Sequence, residues 1–216
     1  MIDTKKWEEL IREWETIGPC YQIPHRSHNR LVHFCEYCVP LLAGKDVIEI
    51  GCNAGVFAYE IAKVAKSYIG VEPANKARQK KKEKPKTDYF QQALLTKKHI
   101  QEFNPNVDFV HDTICEFCKK PFVGNAFVAC FALYHFLNDE IALLKEHVWP
   151  KCDIVIIQNR VQDRPKHHNS YKFYKTARVV KFFKSLGFED IAIVSGQSED
   201  KRQKFDEVIC HRLTHE

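Results

Sequence analysis

Residues 46–73 read "DVIEIGCNAGVFAYEIAKVAKSYIGVEP". Asp46–Ile50 is a short apolar run, Gly51–Gly55 a glycine-flanked turn, Phe57–Ala65 has helical spacing, and Ser67–Val71 is apolar again and runs into Glu72. The order is strand, tight turn, helix, strand, with an acid near the end of the first strand, Glu49, and another, Glu72, 23 residues further on. Glycines in such a turn let the backbone approach a ligand with no Cβ in the way, and Asn53 accommodates the left-handed dihedrals it needs. Glu72 offers two acceptor oxygens at a strand carboxyl end, which suits the two hydroxyls of a ribose.

The same alternation continues on both sides. Upstream, Trp7, Leu10, Ile11, Trp14 and Ile17 form a helical stripe that stops at Gly18-Pro19, and Leu31, Phe34, Cys35, Cys38 and Leu42 form a second that leads into the first strand. Downstream, Val107–His111, Ala126–Leu133 and Ile154–Gln158 read as strands, separated by helices such as Asn138–His147 and Tyr171–Leu186. Ile191–Val194 and Glu207–Arg212 are joined by "SGQSEDKRQKF", too little chain for a helical crossover, so an antiparallel hairpin is expected there. The predicted fold is α/β, a seven-stranded, mostly parallel sheet with helices on both faces and a C-terminal antiparallel hairpin.

Composition sets the context. With 216 residues, 44% of them apolar and 28% charged, the chain has the makeup of one globular domain with a sizeable core. The opening "MIDTKKWEELIREWETIG" carries charges throughout, unlike a signal peptide or a membrane span. Nine cysteines without a secretory signal read as reduced thiols, and a cytoplasmic location is expected.

Two nucleotide-binding motifs fail on the quoted stretch. A phosphate-binding P-loop needs Gly-Lys-Ser/Thr at the helix entry, yet Gly44-Lys45 precedes Asp46 and the strand. A dinucleotide fingerprint needs glycine at 51, 53 and 56, where the chain has Gly51, Asn53 and Val56. What remains, an acid, G-x-N-x-G, and a second acid, resembles the class I S-adenosylmethionine-dependent methyltransferases. "EIGCNAG" is similar to their first motif, with Asn53 in place of its middle glycine, and "GVEP" to their second. "FVHDTI" is similar to their third-strand motif and "VACFALYHFLND" to their fourth. The resemblance runs from about Leu31 to the last strand and implies a Rossmann-like methyltransferase domain over 31–216, with 1–30 as an N-terminal helical cap or lid.

The resemblance also implies the cofactor, S-adenosyl-L-methionine, with S-adenosyl-L-homocysteine as product. Carried onto this sequence, Glu49, Gly51, Cys52, Asn53 and Gly55 form its glycine turn, and Glu72 with Pro73 holds the ribose. Asp112 faces the adenine amino group, Thr113 and Ile114 border the ring, and Phe131 and Ala132 line the methionine end. Such an enzyme aligns an already activated methyl group with a nucleophile and supplies a base where the acceptor carries a proton. Tyr134 and His135, just past the fourth strand, are the candidate catalytic residues, histidine having a suitable intrinsic pKa. No Asp/Asn/Ser-Pro-Pro-Tyr/Phe follows that strand, which argues against the amino-methylating type that uses this motif. The Pro-Cys of a cytosine-C5 enzyme is missing there too. A hydroxyl, amine or carboxylate acceptor remains.

Charge is unevenly spread. Residues 76–86, "KARQKKKEKPK", and 160–184 together carry +13, whereas the whole chain carries +5, so the remainder is −8. The second segment interleaves aromatics, "HHNSYKFYKTARVVKFF", and follows the fifth strand on the substrate side, which makes RNA an alternative acceptor. Val179, Phe182, Phe183 and Leu186 nevertheless recur at core spacing, and the lysines between them suit a solvated face. A small polar molecule or glycan is the favoured acceptor. His25, Arg26 and His28, from "PHRSHNRLVH", and Tyr171 and Tyr174 are the expected substrate contacts. The pairs Cys35/Cys38 and Cys115/Cys118 have C-x-x-C spacing, but 77 positions separate Cys38 from Cys115 and the first pair falls on an apolar stripe, so buried thiols and no metal are expected. The reading from another class is a non-catalytic module that retains the cofactor pocket and serves as an interaction subunit.

Overall fold

The structure, a computed structural model, describes residues 4–18, 28–72, 88–161, 173, 175–197 and 204–213. Seven strands, β1 (Asp46–Ile50), β2 (Ser67–Val71), β3 (Val107–Val110), β4 (Ala126–Cys130), β5 (Ile154–Val161), β6 (Asp190–Gln197) and β7 (Lys204–His211), form one sheet in the order β3-β2-β1-β4-β5-β7-β6. The first five are parallel, and β7 lies antiparallel between β5 and β6. The helices are α1 (Thr4–Ile17), α2 (His28–Tyr37), α3 (Ala58–Ile61), α4 (Tyr89–Gln101), α5 (Ile114–Cys118), α6 (Asn138–His147) and α7 (Thr176–Lys184).

Strand alternation sorts the helices onto two faces. Val47, Val128, Ile156 and Ile209 point to the side covered by Trp7, Leu10 and Trp14 of α1, Leu31 and Phe34 of α2, Ala58 and Ile61 of α3, and Ala93 and Ile100 of α4. Ile48, Phe127, Val155 and Val208 point to the other, under Phe117 of α5, Ile141 and Leu144 of α6, and Val179 and Phe183 of α7. Strands buried on both faces explain the near-continuous apolar runs of the sequence.

The hairpin forms with its second strand inside. Val208, Ile209 and Cys210 of β7 are buried, whereas β6 is exposed or half-buried along its length, so the more apolar strand occupies the slot beside β5. Two expected elements end three or four residues early. The predicted helix over Phe57–Ala65 is regular only to Ile61; beyond it the bonds Lys63 N to Glu60 O (3.3 Å) and Val64 N to Ile61 O (3.1 Å) are of 3-10 type, and Ala65 N to Ile61 O (2.9 Å) closes the last turn. The predicted strand Ala126–Leu133 stops at Cys130, because Phe131 turns to φ +55 and a 3-10 turn, Leu133–His135, follows.

Buried hydrogen bonds tie α1 to the rest. Trp14 Nε1 donates to Thr96 Oγ1 at 3.0 Å, and that hydroxyl donates to Ala54 O, inside the glycine turn, at 2.6 Å. Gln92 Nε2 donates to Trp14 O (3.0 Å) and Gly18 O (3.1 Å), satisfying carbonyls at the end of α1. Thr96→Val keeps the shape but leaves a buried indole N–H and a buried carbonyl unpaired, so it should cost about 1–3 kcal/mol. A urea denaturation midpoint unchanged from wild type would show that this link carries no stability.

Candidate functional site

The turn after β1 is built from three left-handed residues, Gly51 (φ +78), Asn53 (φ +50) and Gly55 (φ +77). A Cβ on Gly51 would lie 2.8 Å from Ala132 Cβ, so the glycine is required both by its dihedral and by the close approach of the chain leaving β4. Gly51 N donates to Val71 O at 2.7 Å, Asn53 Nδ2 to Gly51 O at 3.0 Å, and Asn53 N to Glu72 Oε2 at 2.8 Å. The acid at the end of β2 therefore takes a backbone N–H of the turn at the end of β1, and the motifs of the quoted stretch meet in space.

Across the turn, Phe131 and Ala132 leave β4. A phenylalanine at positive φ is an uncommon, strained conformation, held here by Phe131 N donating to Gln158 O (2.8 Å) and by the Arg30 guanidinium 3.9 Å above its ring. Tyr134 is buried and His135 half-buried on the 3-10 turn that follows, their rings 4.4 Å apart.

The remaining expected contacts are placed as follows. Glu49 is fully buried and accepts from Tyr68 Oη at 2.7 Å. Burial pushes its carboxyl up to about 7, against the pull of the Tyr68 hydrogen bond, with the charge of Glu72 adding to the rise. Cys52 is buried, its thiol pushed up by burial and then by Glu72 and Glu49. Past β3, Asp112 pairs with Lys120 Nζ at 2.6 Å and Ile114 is buried. Thr113 caps α5: its hydroxyl accepts from Glu116 N (3.1 Å) while Glu116 Oε2 accepts from Thr113 N (3.0 Å). The signal for that box, T-x-x-E, is legible in "TICE". Pro73, His25, Arg26, Tyr171, Tyr174 and the His28 side chain lie outside the described residues, as does the basic segment 76–86.

The cysteine pairs take opposite faces. Cys35 and Cys38 sit with the core under α1 to α4, and Cys118 with the core under α5 to α7, so the four sulfurs cannot share a tetrahedral site. Among the described residues, Glu9, Glu13 and His99 have ligand-type atoms within 4.8 Å of one another. Ion pairs already engage that group, His99 Nε2 with Glu13 at 2.9 Å and Lys6 with Glu9 at 3.1 Å. What sequence reasoning missed is a buried polar row on the α2 side of the sheet: Cys130, Gln158 and Glu207, paired neighbours on β4, β5 and β7. Its signal is a charged or amide residue inside an apolar strand, as in "FDEVIC" and "IVIIQN".

No family model matches the chain, and no curated protein matches it. Solved structures do. Magnesium protoporphyrin IX methyltransferase of Synechocystis PCC 6803 with bound S-adenosylhomocysteine shares 13% identity over 98% of this chain and 100% of that one, with a TM-score of 0.63. The N-methyltransferase NodS of Bradyrhizobium japonicum WM9 shares 11% over 87% and 97%, with a TM-score of 0.58. The methyltransferase domain of bacterial CtHen1 shares 11% over 87% and 99%, with a TM-score of 0.57. The chain thus has the Rossmann-like fold of the class I S-adenosylmethionine-dependent methyltransferases.

Glu49 makes the site pH-sensitive. A carboxyl whose folded pKa is raised destabilises the fold as pH climbs from the usual 4.5 to about 7, because ionisation in the buried position lags that in the unfolded chain. Glu49→Gln keeps an acceptor for Tyr68 and removes that cost, so its stability relative to wild type should improve by roughly 1–3 kcal/mol between acid and mildly alkaline buffer. Urea unfolding at both conditions is the check, and an equal difference in the two would mean that Glu49 ionises as readily folded as unfolded.

Proposed function

We propose that this chain is an S-adenosylmethionine-dependent methyltransferase that transfers a methyl group to a hydroxyl, amine or carboxylate of a polar small molecule or glycan. The observation that carries this reading is the left-handed Gly51–Gly55 turn at the carboxyl end of β1, closed by Asn53 N on Glu72, in a sheet of this fold. That end of the sheet suits the cofactor. In this reading Glu72, half-buried just past β2, takes the ribose hydroxyls, and Asp112, just past β3, takes the adenine amino group with Thr113 and Ile114 beside it. Ala132 stands against Gly51, and in this reading it and Phe131 line the methionine end, with Pro73 beside Glu72 in the sequence.

When bound, the cofactor supplies an electrophilic methyl group; the chain aligns the acceptor and handles its proton. Tyr134 and His135 follow the strand whose end faces the reacting position, and we assign them to acceptor contact and proton transfer. Residues 1–30 would act as a cap, with His25, Arg26 and His28 and, from the far side, Tyr171 and Tyr174 reaching the acceptor. A cytoplasmic enzyme is the matching setting, and no helix among the described residues is long and apolar enough to cross a membrane.

A second reading, RNA as acceptor, is favoured by α7. Lys175, Arg178, Lys181 and Lys184 are exposed at its start and along one side, while Val179 and Phe183 are buried on the other, which leaves a basic face beyond β5.

Calorimetry with S-adenosylhomocysteine tests the cofactor assignment. Wild type should bind; Glu72→Ala should weaken binding by about tenfold or more, the loss expected for ribose hydroxyls left unpaired in a desolvated pocket. Glu72→Gln, which retains an acceptor for Asn53 N, separates turn support from ribose contact. Wild type that fails to bind removes the function; binding without turnover on any acceptor, in extracts with and without ribonuclease, favours the non-catalytic module. His135→Ala should keep cofactor affinity within a few fold and lower turnover about a hundredfold if His135 takes a proton; normal turnover would assign catalysis to alignment alone.

A further inference from the structure

Glu207 of β7 is a carboxylate that the chemistry above does not use. It is fully buried: Gln158 Nε2 donates to Oε1 at 3.0 Å, Cys38 Sγ donates to Oε2 at 3.3 Å, and His33 Nδ1 lies 3.0 Å from Oε2 without a hydrogen bond to it. Burial, with Glu207 beside it, pushes the Cys38 thiol far up, so it stays an S–H donor. A carboxylate withdrawn this far from water is costly unless its partners are placed for it, and such groups cluster at functional sites.

His33 stands where α2 meets the carboxyl ends of the strands. Its ring packs against Tyr37 at 4.7 Å and edge-on against Phe205 at 5.2 Å, and Phe205 meets Phe131 at 6.5 Å. Arg30, one helical turn earlier, covers Phe131. His33 is thus one ring away from the strained residue beside the glycine turn. Its Nε2 has no partner among the described residues, and its side chain keeps 17% exposure. At Nδ1 the N–H direction is off line from Glu207, the loose geometry that catalytic hydrogen bonds often have before substrate binds. Gln158 Oε1, beside the same carboxylate, is buried without a partner. The amide cannot be flipped to satisfy it, because Nε2 faces two acceptors, Glu207 Oε1 and Arg30 O.

We propose that His33 and Glu207 form a proton-accepting dyad for the methyl acceptor. Glu207 is the positioning residue: it holds the proton on Nδ1 so that Nε2 presents its lone pair. His33 is the catalytic residue on the α2 wall of the site, alongside the groups that follow β4. With a hydroxyl acceptor, the O–CH3 bond forms as the O–H bond breaks, and the pair of the broken S–CH3 bond remains on sulfur. The proton ends on Nε2, giving an imidazolium opposite the Glu207 carboxylate. The dyad narrows the acceptor to one with a proton to lose, a hydroxyl or an ammonium, over one that is already anionic. This rests on the methyltransferase reading.

The test is ring-nitrogen NMR of 15N-histidine-labelled protein with and without S-adenosylhomocysteine, the His33 signals assigned by their loss in His33→Gln. In mildly alkaline buffer His33 should be the Nδ1–H tautomer, and Glu207→Gln should abolish that preference. Both variants should bind S-adenosylhomocysteine within about threefold of wild type, as expected of groups that act on the acceptor. An Nε2–H tautomer in wild type, a preference unchanged in Glu207→Gln, or a loss of cofactor affinity beyond about tenfold in His33→Gln would each overturn the dyad. Should Glu207→Gln not fold, the wild-type tautomer decides alone. Failure of wild type to bind S-adenosylhomocysteine would instead remove the methyltransferase reading itself, so the two failures are distinguishable.

Discussion

The hydrogen bond from Asn53 N to the Glu72 carboxylate, 2.8 Å long, joins the turn at the end of β1 to the end of the parallel strand β2. Much of the molecule is arranged around it. Of the three turn residues at positive φ only Asn53 carries a Cβ and the steric cost that goes with it, and a carboxylate accepting its N–H offsets part of that cost. The same turn gives up its Ala54 carbonyl to Thr96, which receives Trp14 in turn, so α4 and α1 are registered against the turn by a chain of buried hydrogen bonds. On its other side the missing Cβ of Gly51 admits Ala132, which sets how closely the chain leaving β4 can pass. The glycine turn is therefore a junction of β1, β2, β4, α1 and α4 rather than a loop at the rim.

The sheet is chemically asymmetric at its carboxyl end. On the face under α5 to α7 the core is apolar up to Ile50 and Ile157, with one buried amide, Asn159, beyond, whereas on the face under α2 the last buried positions are Glu49, Cys130, Gln158 and Glu207. Burial without full compensation is costly, so these groups depend on their partners. Glu49 has one hydroxyl donor and its carboxyl is held up near 7, while Glu207 is met by an amide, a thiol and an imidazole. Two glutamates on one face thus have different environments, decided by which helix lies above them: the Glu207 partners come from α2, the residue just after it, and β5.

Much of the architecture was legible in the residues themselves. Period-two and period-3.6 patterning located every strand, and the helix Asn138–His147 to the residue, because burial of one face imposes those periods on the chain. The short linker announced the hairpin, and the G-x-N-x-G turn announced its left-handed residues, since few side chains accept φ > 0. For the site, the sequence determined that Glu72, Gly51 and Asn53 belong together, because they are neighbours across a single βαβ unit. Thr113 was legible as a helix cap through its T-x-x-E spacing, although its position suggested a ligand contact.

Tertiary structure alone decided the rest. That β7 rather than β6 lies beside β5 depends on a comparison of two burial patterns against a neighbour that a linear reading does not supply. The C-x-x-C pairs match in spacing yet fall on opposite faces of the sheet, a separation set by strand alternation and helix placement. His33 and Glu207 stand 174 positions apart in the chain and 3.0 Å apart in the fold. Local pattern reports which face of an element is apolar, since that follows from the period of the backbone; which polar side chains then share a buried space depends on how whole elements pack, and that is fixed only when the chain closes on itself.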